Sequence, residues 1–294
     1  MNAELVLNIL STGLLNTGIY GLLTIGFCLI FGVARILNFA HTAFYMVAAY
    51  LIYVFTRSIP LGVAPAIIIS IVGTTLLGLI LAKVVLDPIR EHETAVIIAT
   101  VAIAFIFQEI FDIAYGGQYL ATPAFIPGYV DLLGVRIMHQ QLLTLGVAVI
   151  VILFVYMFLL KSRVGLTIRV VSQDREIAGL MGIDVGRVYL IVIGMASAFV
   201  AIAGAFVAPL YCLSPTMWLP PLVIIIAAVF LGGLGSIKGS IIGAAVLAFT
   251  ESLVVYLIPI GSFLKTSVAL AIIGIVLIVK PEGLFGIVFE EERL

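Results

Sequence analysis

Charge is what this chain has least of: 10% of its 294 residues are Asp, Glu, Lys or Arg, against about a quarter in a soluble domain. That scarcity excludes an ordinary solvated globule. The net charge of −1 lacks the basic excess that neutralises phosphates, so no nucleic-acid partner is expected. Cysteine is nearly absent. Cys28 and Cys212 fall in different apolar stretches and read as small buried hydrophobes rather than a disulfide. The three histidines, His41, His92 and His139, have no HExxH or paired spacing, so no metal site and no cofactor are expected. No local Ser/His/Asp or Cys/His motif points to catalysis. The start, "MNAEL", lacks a basic n-region, and the apolar stretch after it is too long for an h-region, so no cleaved leader is expected.

What the chain has instead is apolar length. It is 64% hydrophobic with a mean hydropathy of +1.34. Runs of about 20 apolar residues recur throughout, each long enough to cross the hydrocarbon as a helix. The alternating strands of a barrel are absent. The expected fold is all-α: a polytopic helical membrane protein in one domain, 1–294, with about nine spans (eight to ten). The spans read as 8–34, 39–56, 61–85, 94–115, 138–160, 188–211, 217–234, 239–257 and 264–280. With the 161–187 loop inside, the N-terminus is outside and the C-terminus inside. Eleven basic residues then face the cytoplasm (Arg35, Lys83, Arg90, Lys161, Arg163, Arg169, Arg175, Arg187, Lys238, Lys280, Arg293), and three (Arg57, Arg136, Lys265) stay outside. The positive-inside rule selects that orientation over its reverse.

Two polar or glycine-rich joints interrupt the pattern, "GVARILNFAH" (32–41) and "GGLGSIKGS" (232–240). Each is either a tight turn or an unwound stretch covered by protein. The second is neither a Walker A loop, since Ile237 precedes Lys238, nor GxGxxG. Its glycines either let backbones approach closely or break a helix beside a substrate carboxylate. The loop 116–137, with Pro123 and Pro127, is either a connector or a contact for a soluble partner. Acids within spans are costly and usually face a bundle interior or wet cavity. Glu109 and Glu251 are the deep ones; Asp112 lies near an end and reads as solvated.

Against this background, "KSRVGLTIRVVSQDREIAGLMGIDVGR" (161–187) holds five of the fourteen basic residues. Ser172 as N-cap, Asp174 and Glu176 in the first turn and Gly182 as a stop predict a short helix over 173–181. Ala178, Leu180 and Met181 are expected to form its apolar side. Such a helix either lies among lipid headgroups or docks into a groove on a cytosolic protein.

Four stretches carry a family resemblance over essentially the whole chain: "LIFGVARILNFAHTAFYMVAAY" (29–50), "SRVGLTIRVVSQDREIAGLMGIDVGRV" (162–188), "VFLGGLGSIKGSIIGA" (229–244) and "KPEGLFG" (280–286). In order and spacing they resemble the branched-chain amino-acid ABC-importer permeases of bacteria and archaea, most closely the H-type Liv subunit. Departures are Thr42 and Val47 where the family often has Gly, Lys238 where it often has Pro, and Thr167, Ile168, Val170 and Val171 around the loop. The resemblance implies a permease subunit in a cytoplasmic (inner) membrane that carries Leu, Ile or Val and performs no chemistry itself. Its implied partners are a second permease subunit, related or identical, two cytosolic ABC ATPases and an extracytoplasmic binding protein. Asp174, Arg175, Glu176, Ala178, Gly179, Leu180, Met181 and Gly182 correspond to the coupling segment. Asn38, His41, Phe44, Tyr45, Gly232, Gly233 and Gly235 lie in the joints near the path, to which Glu109 and Glu251 are added as the deep acids. Urea and short-amide permeases share much of the pattern and remain an alternative. A secondary transporter or channel leaves the 161–187 loop unexplained.

Overall fold

A computed structural model describes residues 3–59, 61–280 and 283–285. Among these residues the helices are α1 (Ala3–Ala34), α2 (His41–Tyr53), α3 (Val63–Leu81), α4 (Glu93–Tyr115), α5 (His139–Lys161), α6 (Arg163–Gln173), α7 (Arg175–Leu180), α8 (Val185–Val207), α9 (Leu219–Gly232), α10 (Ile237–Leu257) and α11 (Gly261–Val279). Six of them are long and apolar enough to cross a membrane: α1, α3 with its continuation to Ile89, α4, α5, α8 and α10. α9 and α11 are apolar but shorter. Arg293, Pro281, Glu282 and Gly286 lie outside the described residues.

The layering follows from which helices are apolar all round and covered all round. The most apolar stretch of α1 is 89% buried, whereas those of α3, α4 and α5 are 22% buried. α1 is therefore an axis, packed by α5, α8, α9 and α10. α3, α4 and α5 form an outer layer whose exposed Ile, Leu and Val suit lipid or another apolar surface.

The joint at 32–41 takes the unwound form. Arg35 turns the chain with a φ of 55°, and Ile36, Asn38 and Ala40 are buried as the segment doubles back. α2 then starts beside the middle of α1, where His41 Nε2 lies 2.9 Å from the Leu23 carbonyl. That is roughly three turns, or about 16 Å, from the end of α1. Asn38 Oδ1 accepts a bond of 3.1 Å from the Ala40 N–H, which satisfies a donor that buried irregular backbone would otherwise leave orphaned.

The joint at 232–240 takes the other form, a tight hairpin. Gly233 and Gly235 have φ of 96° and 82°, and the Ser236 hydroxyl caps α10 by accepting from Gly239 N–H at 3.2 Å. Gly232 and Gly239 touch backbone to backbone, and Gly243 lies against the Ala228 carbonyl. The glycines thus make a close seam between α9 and α10. The C-terminal motif closes it: Leu284 and Phe285 donate to the Leu231 and Gly232 carbonyls at 2.8 and 3.1 Å.

The loop 116–137 departs from the all-α expectation. It leads into a hairpin of β1 (Tyr129–Leu132) and β2 (Val135–Met138), turned by Leu133 and Gly134 at φ of 52° and 87°. Two successive positive φ values suit the two-residue turn that matches strand twist. Four-residue strands are too short to show a period against the apolar background.

Candidate functional site

The bundle has two chemically distinct ends. At one lies the charged segment, which forms two helices rather than one. α6 caps itself with Ser162, whose hydroxyl accepts from Gly165 N–H at 2.8 Å, and buries Ile168 and Val171. Ser172 lies inside α6, so it is not the N-cap of the next helix. Asp174 is: its carboxylate accepts from Ile177 N–H at 2.9 Å, and an acid there also meets the positive end of the helix dipole. Gly182, with φ of 82°, ends α7, and Gly182 and Ile183 N–H bond back to the Gly179 and Ala178 carbonyls.

The sides of α7 differ from the expected apolar stripe. Ala178 is 0% exposed and packs inward, while Leu180 and Met181 are 88% and 73% exposed. A helix of one and a half turns has too little length for its period to reveal which side faces inward. Ile177 is exposed as well, so the outward apolar surface is Ile177, Leu180 and Met181. Behind α7, Arg90, Glu91, Arg175 and Tyr189 line a cavity of about 270 Å³. Arg35 Nη2 donates to the Ser172 carbonyl at 3.2 Å, joining the end of α1 to the last turn of α6, just before α7. Partial desolvation, then the like charges of Arg35 and Arg90, lower the Arg175 pKa from its ordinary value.

At the other end, where β2 packs on α1, is a cavity of about 350 Å³. Glu251 of α10 is 5% exposed and sits on its wall. Tyr20 of α1 donates to Glu251 Oε2 at 2.7 Å, and Lys265 Nζ of α11 lies 2.9 Å from Oε1. Tyr211 donates to Asn16 Oδ1 at 3.2 Å on the same wall. Ile19, Met217 and Val255 supply apolar surface, and Cys212, exposed rather than buried as expected, stands at the rim. Burying a carboxylate this far is costly unless its oxygens are partnered, and both Glu251 oxygens are, by Tyr20 and by the half-exposed Lys265.

Of the sequence candidates, the structure brings Tyr45 and Glu251 together in this cavity. His41 and Asn38 instead hold the buried start of α2, and Phe44 packs near Phe107, with ring centroids 6.1 Å apart. Gly232, Gly233 and Gly235 lie at the far end of α10 from Glu251. Glu109 is exposed on α4, and Asp112 is exposed near its end. Tyr20, Asn16, Tyr211 and Lys265 were not singled out by sequence. One signal for Lys265 existed: it and Glu251 stand equidistant about Ile258, in the turn between α10 and α11.

The Tyr20 bond has a measurable worth. Tyr20→Phe keeps the ring and removes a donor to a charged acceptor, which is expected to cost about 1.5–3 kcal/mol. A lowered thermal midpoint of the purified protein reads it. An unchanged midpoint would mean that Lys265 alone holds Glu251.

Among the described residues no group of three or more His, Cys, Asp or Glu is placed to hold a metal ion. The family described as branched-chain amino acid transport system / permease component matches residues 9–280. The chain is 25% identical over 292 residues to the high-affinity branched-chain amino acid transport system permease protein BraD of Pseudomonas aeruginosa, covering 94% of each. It is 26% identical over 283 residues to the permease protein LivH of Escherichia coli, covering 91% of each. It is 25% identical over 299 residues to a probable branched-chain amino acid transport permease protein LivH of Methanocaldococcus jannaschii, covering 95% of this chain and 92% of that one. In fold it is similar to a chain of PsaBC from Streptococcus pneumoniae solved in complex with Fab, with a TM-score of 0.55 and 14% identity over 96% of this chain and 97% of that one.

Proposed function

The chain belongs to the permease components of branched-chain amino acid transport systems, and from that premise we propose that it is a membrane subunit of an ABC importer for leucine, isoleucine and valine. It pairs with a second permease subunit, related or identical, in the cytoplasmic membrane. Two cytosolic ATPases dock at the α6–α7 end and hydrolyse the ATP. An extracytoplasmic binding protein delivers substrate at the hairpin end. The eleven-to-three split of basic residues supports this orientation, with the N-terminus outside. Nine crossings follow if α2 contributes its half-depth start and α9 and α11 cross as short helices.

The observation that carries the reading beyond family membership is the outward apolar surface of α7, Ile177, Leu180 and Met181, set among charges at one end of the bundle. Groove docking by apolar helix faces is a common mode of protein recognition. α1 supplies the link across the membrane: one end is tied through Arg35 to Ser172 in the last turn of α6, which leads into α7, and Tyr20 within it meets Glu251. ATP-driven movement at α7 then shifts the balance between outward and inward states, provided the ATPases bind the two states with different affinity. Glu109, exposed on an apolar helix, faces the partner subunit or the water path rather than lipid, where its charge is costly.

Reconstitution tests the proposal. Vesicles holding this chain with its partner permease, ATPases and binding protein are expected to accumulate leucine only with ATP. Accumulation of urea or acetamide instead of leucine would replace the substrate; leucine uptake without ATPases, driven by an ion gradient, would replace the class.

A further inference from the structure

We propose that the cavity at the hairpin end is a binding site within the single permease chain for a zwitterionic α-amino acid with a short aliphatic side chain, read by the Glu251–Lys265 pair. The inference rests on the amino-acid permease reading and adds the substrate's contacts. Glu251 and Lys265 present opposite charges 2.9 Å apart on a wall that also holds Ile19, Met217 and Val255. An α-amino acid carries the same three features: an ammonium, a carboxylate and, in this class, a branched apolar tail. By entering between the two side chains, its ammonium meets Glu251 and its carboxylate meets Lys265. One internal ion pair becomes two intermolecular ones, so neither the buried Glu251 nor the half-exposed Lys265 is left without a partner.

The pair is built to allow that exchange. Glu251 is fixed, 5% exposed and held by the Tyr20 hydroxyl at 2.7 Å. The Lys265 side chain is 39% exposed, on a flexible stem that can swing its ammonium. The cavity, about 350 Å³, lies in the lower part of the range for small-molecule sites, about 300–1,000 Å³. Urea and short amides carry neither charge and would leave the ion pair closed.

Cys212 stands on the cavity rim and is exposed, whereas Cys28 is buried, so maleimide labelling followed by peptide mass spectrometry reads access to the site. With the assembled transporter in vesicles, L-leucine at ten times its dissociation constant is expected to slow Cys212 labelling about tenfold. Isovalerate, which lacks the ammonium, isopentylamine, which lacks the carboxylate, and acetamide are expected to leave the rate unchanged. Lys265→Met and Glu251→Gln should each abolish protection by leucine, with Cys28 still unlabelled as the sign of an intact fold. If Glu251→Gln exposes Cys28, Lys265→Met carries this arm. Absence of leucine protection in wild-type vesicles that accumulate leucine would overturn the site and leave the transport reading standing. Equal protection by isovalerate or acetamide would overturn recognition by the charge pair. Protection by leucine in an intact assembly that does not transport it would uphold the site and defeat the transport reading.

Discussion

Gly239→Val is expected to leave little folded protein in the membrane. A Cβ at Gly239 would fall on the Gly232 carbonyl oxygen and within 3.0 Å of the Ser236 hydroxyl. The obstacle is largely backbone, held from the far side as well: the Leu231 and Gly232 carbonyls accept from Leu284 and Phe285. Relief requires α9 to move away from α10, opening the seam where Gly243 meets Ala228 and breaking the C-terminal closure. Overpacking a yielding core costs about 1–3 kcal/mol. Here the cost is expected to exceed that range, a large part of a typical total of about 5–15 kcal/mol. Gly235→Val should behave differently. Nothing lies within 4 Å of a Cβ there, and the obstacle is the φ of +82°, a strain of about 1–3 kcal/mol. Gly146→Val, exposed on α5 with open space around it, is the reference. Membrane abundance and monodispersity should rank Gly146→Val above Gly235→Val above Gly239→Val. Equal abundance of the first and last would show that the seam yields and that its glycines are dispensable.

The second large effect falls on energy coupling. Leu180→Asp combined with Met181→Asp is expected to abolish leucine uptake with the permease still inserted and stable. Both side chains point outward, 88% and 73% exposed, so their loss from the fold itself should stay within about 0.5 kcal/mol, as for surface substitutions generally. If an ATPase groove receives this surface, two carboxylates must be desolvated in it without partners, and the ATPases should fail to co-purify. Ala178→Asp is a different experiment. It places a carboxylate at a position with 0% exposure and should damage the permease whether or not an ATPase docks. Full ATPase retention with full uptake in the double variant would remove α7 as the coupling contact, and membrane-headgroup contact would be its remaining role.

Much of the helical organisation was legible because an apolar environment leaves the backbone few solutions. A segment without water must bond its own amides, so each long apolar run reads as a helix. α7 was legible as well, through its stop at Gly182 and its acids, although the cap moved from Ser172 to Asp174 because α6 runs through Ser172. Glu251 stood out because acids are rare in such runs. The hairpin was not legible, since strands of four residues leave no period to detect.

What the sequence by itself determined, then, is the polytopic helical class with its long apolar helices, the concentration of charge at 161–187 and the family. These follow from hydropathy, caps and motif spacing, all read between near neighbours along the chain. Tertiary structure decided the rest. Only packing against α1 puts the start of α2 at Leu23 rather than at the membrane edge, and only packing against the bundle turns Ala178 inward and Leu180 outward. Tyr20 and Glu251 stand 231 residues apart, and no local signal links them. A hydroxyl, a carboxylate and an ammonium become one site when three separate helices close around them, because a buried charge is tolerated only where other elements supply its partners.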